Sequence, residues 1–134
     1  RIDQRGRLAF AWALRSHAGD WRAGGADQFG RAVNQPLVAR LETQPHAGTL
    51  PAHVGSFVEV EQPNVALSTC KRAEINGTGY IVRLVETQGR ATTTNVRLPF
   101  VGPLIRVEET SLLEVNTGQC LAVSNDTFRV TLPP

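Results

Sequence analysis

The chain contains no methionine and only two cysteines, and aromatic residues make up 6% of its 134 positions. Each scarcity excludes something. Without an initiator methionine, the sequence reads as a piece excised from something longer. Cys70 and Cys120, the only cysteines, supply neither a disulfide framework nor a zinc set. Two buried, reduced thiols are expected rather than a single bridge, and with no secretory signal visible this points to a cytoplasmic setting. Sparse aromatics give no stacking platform for bases. Charge of one sign is also lacking: 14 basic and 12 acidic residues are interspersed, for a net +2. No basic stripe suited to nucleic acid stands out, and no run of about 18 apolar residues suits a membrane span. The nucleophile elbow, the phosphate loop and the dinucleotide fingerprint are all missing.

What is present is period-two alternation broken by turn residues, the pattern of an all-β chain. Leu8, Phe10, Trp12 and Leu14 alternate with alanines and predict a first strand. Val58 and Val60 are expected inward, with Glu59 and Glu61 outward. Val65 to Arg72, Tyr80 to Val85 and Ala91 to Leu98 read as an antiparallel meander, joined at Asn76-Gly77-Thr78-Gly79 and Gln88-Gly89. Shorter strands are expected at Leu104–Val107, Leu112–Val115 and Cys120–Val123. Phe128, Val130 and Leu132 then alternate with Thr127, Arg129 and Thr131 in the clearest run of all. The fold class is therefore an antiparallel β-sandwich in one domain over residues 1–134. One short helix sits in a long loop between His17 and Pro36, with Phe29, Ala32 and Val33 on one side.

That loop opens with the most suggestive local chemistry. His17, Asp20, Trp21 and Arg22 combine an imidazole, a carboxylate, an indole and a guanidinium within six positions. Directional donors and acceptors beside an aromatic face suit a sugar ring, so these four are the candidate substrate-binding residues. The competing structural reading has Asp20 capping the following turn and Trp21 plugging the end of the sandwich. His46 and His53 have no partner at metal-ligand spacing. Glu59/Glu61 and Glu108-Glu109 are rejected as a glycosidase carboxylate pair, the first for its outward face and the second because neighbours diverge. Asn76-Gly77-Thr78 and Asn125-Asp126-Thr127 match the glycosylation sequon, a triplet frequent by chance.

The order of segments resembles glycoside hydrolase family 38, the α-mannosidases. The stretch Leu14-Arg15-Ser16-His17-Ala18-Gly19-Asp20-Trp21-Arg22, a short helix and Asn34-Gln35-Pro36-Leu37 are similar to a signature of its bacterial members. Ser56 to Val60, Pro63 to Ser68, Lys71 to Glu74, Tyr80 to Glu86, Gly89 to Ala91, Val96 to Pro99 and Phe128 to Leu132 look like its C-terminal strands. The resemblance implies a non-catalytic C-terminal domain. The parent enzyme would be a retaining, zinc-dependent hydrolase of terminal α-linked mannose in oligosaccharides. Its zinc ligands and nucleophile would lie in an N-terminal catalytic domain absent from this sequence, so no catalytic or metal residue and no cofactor is assigned here. The expected partners are that catalytic domain and a mannose-containing oligosaccharide, with no nucleic acid and no membrane. The family runs on past a Leu-x-Pro stretch, so an open sheet edge is expected beside Phe128. A free-standing carbohydrate-binding or interaction module is the rival.

Overall fold

The computed structural model describes residues 6–44, 47, 48, 51, 53–74 and 78–134. It divides into two compact units, Arg1–Pro45 and His46–Pro134. In the second unit, alternating sequences form strands because one set of side chains can be buried while the other meets water. The strands are β1 (Glu59–Val60), β2 (Val65–Arg72), β3 (Tyr80–Glu86), β4 (Thr92–Arg97), β5 (Glu108–Thr110), β6 (Asn116–Cys120), β7 (Val123–Ser124) and β8 (Thr127–Leu132). All described pairings are antiparallel, in a four-stranded sheet ordered β1-β4-β8-β7 and two hairpins, β2-β3 and β5-β6.

The core lies on the inner face of the four-stranded sheet. Val96, Leu98, Phe128 and Val130 are buried there, and Val82 and Leu84 of β3 pack on them from the second layer. The sequence-based assignment of an all-β sandwich therefore holds, and so does the alternation around Val58 and Val60, which are half-buried between exposed Glu59 and Glu61.

The three-stranded meander does not form. β2 and β3 pair as expected, but β4 leaves for the other sheet, and Glu86 at the corner explains why. Its carboxylate accepts the backbone N–H groups of Gln88 (2.9 Å), Gly89 (2.6 Å) and Arg90 (3.1 Å), which turns the chain out of the hairpin plane. Gly89, at φ 70°, supplies the left-handed step. The amide of fully buried Asn64 donates to Glu86 Oε1 and to Thr92 Oγ1, both at 2.7 Å, so one side chain ties the start of β2 to both arms of the corner. Desolvation pushes the Glu86 pKa up. The Asn64 amide and the three backbone donors outweigh it and bring the group down from 4.5 to about 2.

Four further expectations are corrected. Leu112–Val115 is the turn of the β5-β6 hairpin rather than a strand. Glu114 adopts φ 61° and the Ser111 hydroxyl accepts the N–H groups of Leu113 and Val115, which closes the turn. The strands expected at Leu104–Val107 and Cys120–Val123 shift accordingly, to Glu108–Thr110 and to Asn116–Cys120 followed by Val123–Ser124. The edge beside Phe128 is not open, because Val123 of β7 pairs with Phe128 through a two-residue turn. Asn125, the first residue of that turn, takes a left-handed φ of 54°, as such turns require. Finally, Cys70 and Cys120 are free but exposed, not buried. Cys70 lies opposite Val82, toward the end of the β2-β3 hairpin where Tyr80 is also exposed. The connection expected at Asn76-Gly77 lies outside the described residues, as does His46.

In the first unit, Leu8 to Leu14 forms no strand. Phe10, Trp12 and Leu14 are each at least 85% exposed. Alternation gives a strand only where a neighbour satisfies its backbone and covers its apolar face, and no described residue pairs with this segment. The helix α1 (Ala26–Asn34) does form, held by an Arg31–Asp27 ion pair one turn apart (3.0 Å) and ending before Pro36. None of its residues is buried: Phe29 is half-buried with the Arg15 guanidinium over its ring at 5.9 Å, while Ala32 and Val33 are exposed.

Candidate functional site

His17, Asp20, Trp21 and Arg22 fall in one compact turn leading into α1. The turn is built by backbone bonds from Gly24 N–H to Asp20 O (2.9 Å), Gly25 N–H to Arg22 O (3.1 Å) and Ala26 N–H to Trp21 O (3.0 Å). Gly19 and Gly25 have φ of 75° and 63°, a conformation open to glycine at little cost. Asp20 Oδ1 accepts the Ala23 N–H at 2.8 Å, so this carboxylate does close the turn, the duty assigned to it in the structural reading. Its second oxygen lies 4.0 Å from the Arg22 guanidinium.

The four side chains remain open to solvent. Trp21 is 44% exposed, and the Arg22 guanidinium lies 4.3 Å from its ring centre, a cation–π pair that stiffens both groups. His17 is exposed, with Nδ1 3.4 Å from the Ala18 carbonyl. Its ring lies where a Cβ on Gly24 would collide with Cγ and Nδ1, so Gly24 is the residue that lets the imidazole fold over the turn. Gly24 was not singled out in the sequence. Its only signal there is that it doubles Gly25, a pair that reads as generic flexibility until the packing is known.

No group of three or more His, Cys, Asp or Glu side chains among the described residues is arranged to hold a metal ion. His53 is exposed. No zinc chemistry is assigned to the described residues, since the resemblance implies zinc in a catalytic domain and none here. Of the rejected carboxylates, Glu59 lies 3.4 Å from Arg97, Glu61 accepts the Asn95 amide at 2.8 Å, and Glu108 bonds Arg106.

The family model described as the glycosyl hydrolases family 38 C-terminal beta sandwich domain matches residues 64–134, more than half of the chain. The chain belongs to that family. No curated protein and no solved structure matches it. The match begins at Asn64, so the family 38 domain includes the Asn64–Glu86 corner, the two hairpins and strands β4 and β8. The His17–Arg22 turn and β1 fall before it. No described helix is long and apolar enough to cross a membrane.

Proposed function

We propose that the chain is the non-catalytic C-terminal part of a family 38 α-mannosidase, whose parent enzyme hydrolyses terminal α-linked mannose from oligosaccharides. The observation that carries this is the family match over residues 64–134. Zinc and the nucleophile are assigned to an N-terminal catalytic domain. The bare apolar row of Phe10, Trp12 and Leu14 supports a role in packing against that domain, since alternating bulky side chains suit strand addition to another sheet. Two free thiols favour a reducing, cytoplasmic compartment. The open cluster of His17, Asp20, Trp21 and Arg22 suits the rim of the sugar pocket, offering donors, acceptors and an indole beside one another.

Two measurements test this. The purified chain is expected to show no turnover of an aryl α-mannoside and no stoichiometric zinc, while the longer protein shows both. Turnover or tightly held zinc in the chain alone refutes the assignment. In the longer enzyme, His17→Ala is expected to lower kcat/KM about tenfold or more with little loss of stability, since losing a hydrogen bond to a charged group costs roughly 1.5–3 kcal/mol. An unchanged kcat/KM removes the turn from the sugar site. The substitution is placed at His17 rather than Asp20 because Asp20 also closes the turn.

A further inference from the structure

The outward face of the four-stranded sheet is polar across three strands, and its charges are unevenly spent. Pairing in register sets Glu59 opposite Arg97, Arg97 opposite Thr127, Asn95 opposite Arg129 and Thr93 opposite Thr131. Arg97 is fully engaged, bonded to Asp126 at 2.8 Å and close to Glu59 at 3.4 Å. Thr93 and Thr131 share a hydroxyl bond at 2.8 Å. The Arg129 guanidinium, by contrast, has no hydrogen bond or ion pair among the described residues. Across Asn95 from it, Glu61 holds one amide bond at 2.8 Å and keeps further lone pairs free.

These groups line a depression of about 220 Å³ bounded by Glu61, Gln62, Thr93, Thr94, Asn95 and Arg129. It shares Glu61 and Asn95 with a second depression of about 430 Å³ that runs toward Glu59 and Arg97. Glu61, the residue after β1, and Arg129 on β8 lie either side of β4, about 10 Å apart at the usual strand spacing. An anion drawn to Arg129 would face Glu61 and Glu59, and a cation drawn to Glu61 would face Arg129 and Arg97. A neutral ligand carrying several hydroxyls meets neither penalty. Its oxygens accept from the guanidinium and the Asn95 amide, and its hydroxyls donate to the Glu61 carboxylate.

We propose that this sheet face is a binding site for a neutral, hydroxyl-rich ligand, a single sugar ring seated between Arg129 and Glu61 over Asn95. The site is separate from the His17–Arg22 turn, and it does not depend on whether the parent enzyme cleaves mannose. With no aromatic platform, binding is weak, on the order of millimolar and about 4 kcal/mol.

Amide chemical shifts of the labelled chain test this during titration with methyl α-mannoside, methyl α-glucoside and methyl β-galactoside, alongside inorganic phosphate and glycine. Saturable shifts at Thr93, Asn95 and Arg129 with at least one glycoside are expected. Arg129→Gln and Glu61→Gln should each weaken them about tenfold while leaving the melting temperature unchanged, and His17→Ala should leave them unaltered. Tighter binding of phosphate or glycine would make this an anion or zwitterion site and overturn the proposal. So would the absence of saturable shifts with every glycoside, or shifts confined to the His17 turn.

Discussion

Replacing Phe128 with Ala is expected to cost the family 38 domain roughly 3–5 kcal/mol of stability. Phe128 is 6% exposed and sits on β8 between β4 and β7, opposite Val96 on one side and Val123 on the other. Among the described residues only four form the buried cluster, and Phe128 is its one aromatic member. The cavity left by its ring would border Val96, which has no exposed surface. Strand pairing on both sides limits how far the backbone can collapse into the void. Typical domains hold only about 5–15 kcal/mol in total, so a loss of this size is a large share. Urea denaturation followed by circular dichroism measures it, with Phe128→Leu as a control that keeps most of the volume and should lose less than half as much. A loss under about 1 kcal/mol for Phe128→Ala would mean that the core lies elsewhere.

The sheet that carries Phe128 was the most legible part of the sequence, for a physical reason. Thr127 to Leu132 alternates strictly, Val96 and Leu98 flank the outward Arg97, and the two segments pair within the same unit, so pattern and packing agree. Leu8 to Leu14 alternates just as strictly and forms no strand. Periodicity records which side chains would share a face, and says nothing about whether a neighbour exists to cover them. Leu112-Leu113 misled in the opposite direction. Two adjacent leucines suggest burial, but the Ser111 hydroxyl and left-handed Glu114 make a turn there, and both leucines are 79% exposed. The corner at Glu86 was visible only as Gln88-Gly89. A side chain gathering three backbone donors leaves no trace in hydrophobic pattern, so the change of sheet could not be read.

The candidate sites divide in the same way. The sequence placed His17, Asp20, Trp21 and Arg22 together because they are contiguous, and the turn keeps them so. The grouping of Glu61, Asn95 and Arg129 draws on the end of β1, on β4 and on β8, and exists only once the register is known. Each residue looks like an ordinary outward member of an alternating run, and only the lack of a partner for Arg129 among the described residues sets the group apart.

Asn64→Asp is expected to destabilise the domain by roughly 3–5 kcal/mol at pH 7, with a pH dependence opposite to that of the unaltered chain. Asn64 has no exposed surface, and its amide donates to Glu86 Oε1 at 2.7 Å. Asp replaces that donor with a buried carboxylate facing another carboxylate, while the three backbone donors still hold Glu86 ionised. In the unaltered chain the folded pKa of Glu86 lies below its unfolded value, at about 2 against 4.5. Its contribution is therefore complete above pH 4.5 and is lost as pH falls toward 2. In the variant the shared site raises one folded pKa above its unfolded value. That contribution is present at low pH and lost as pH rises through the raised pKa, so the variant gains stability as pH drops from 7 toward about 4. Denaturation midpoints at pH 7, 5.5 and 4 should show the gap between the two chains narrowing steadily. Asn64→Ala separates charge from bond loss: it removes both amide bonds without adding a carboxylate, and its deficit should be smaller at pH 7 and nearly constant over the same range. A gap for Asn64→Asp that stays fixed or widens on acidification would show that Asn64 and Glu86 are not in contact, and the corner would need another explanation.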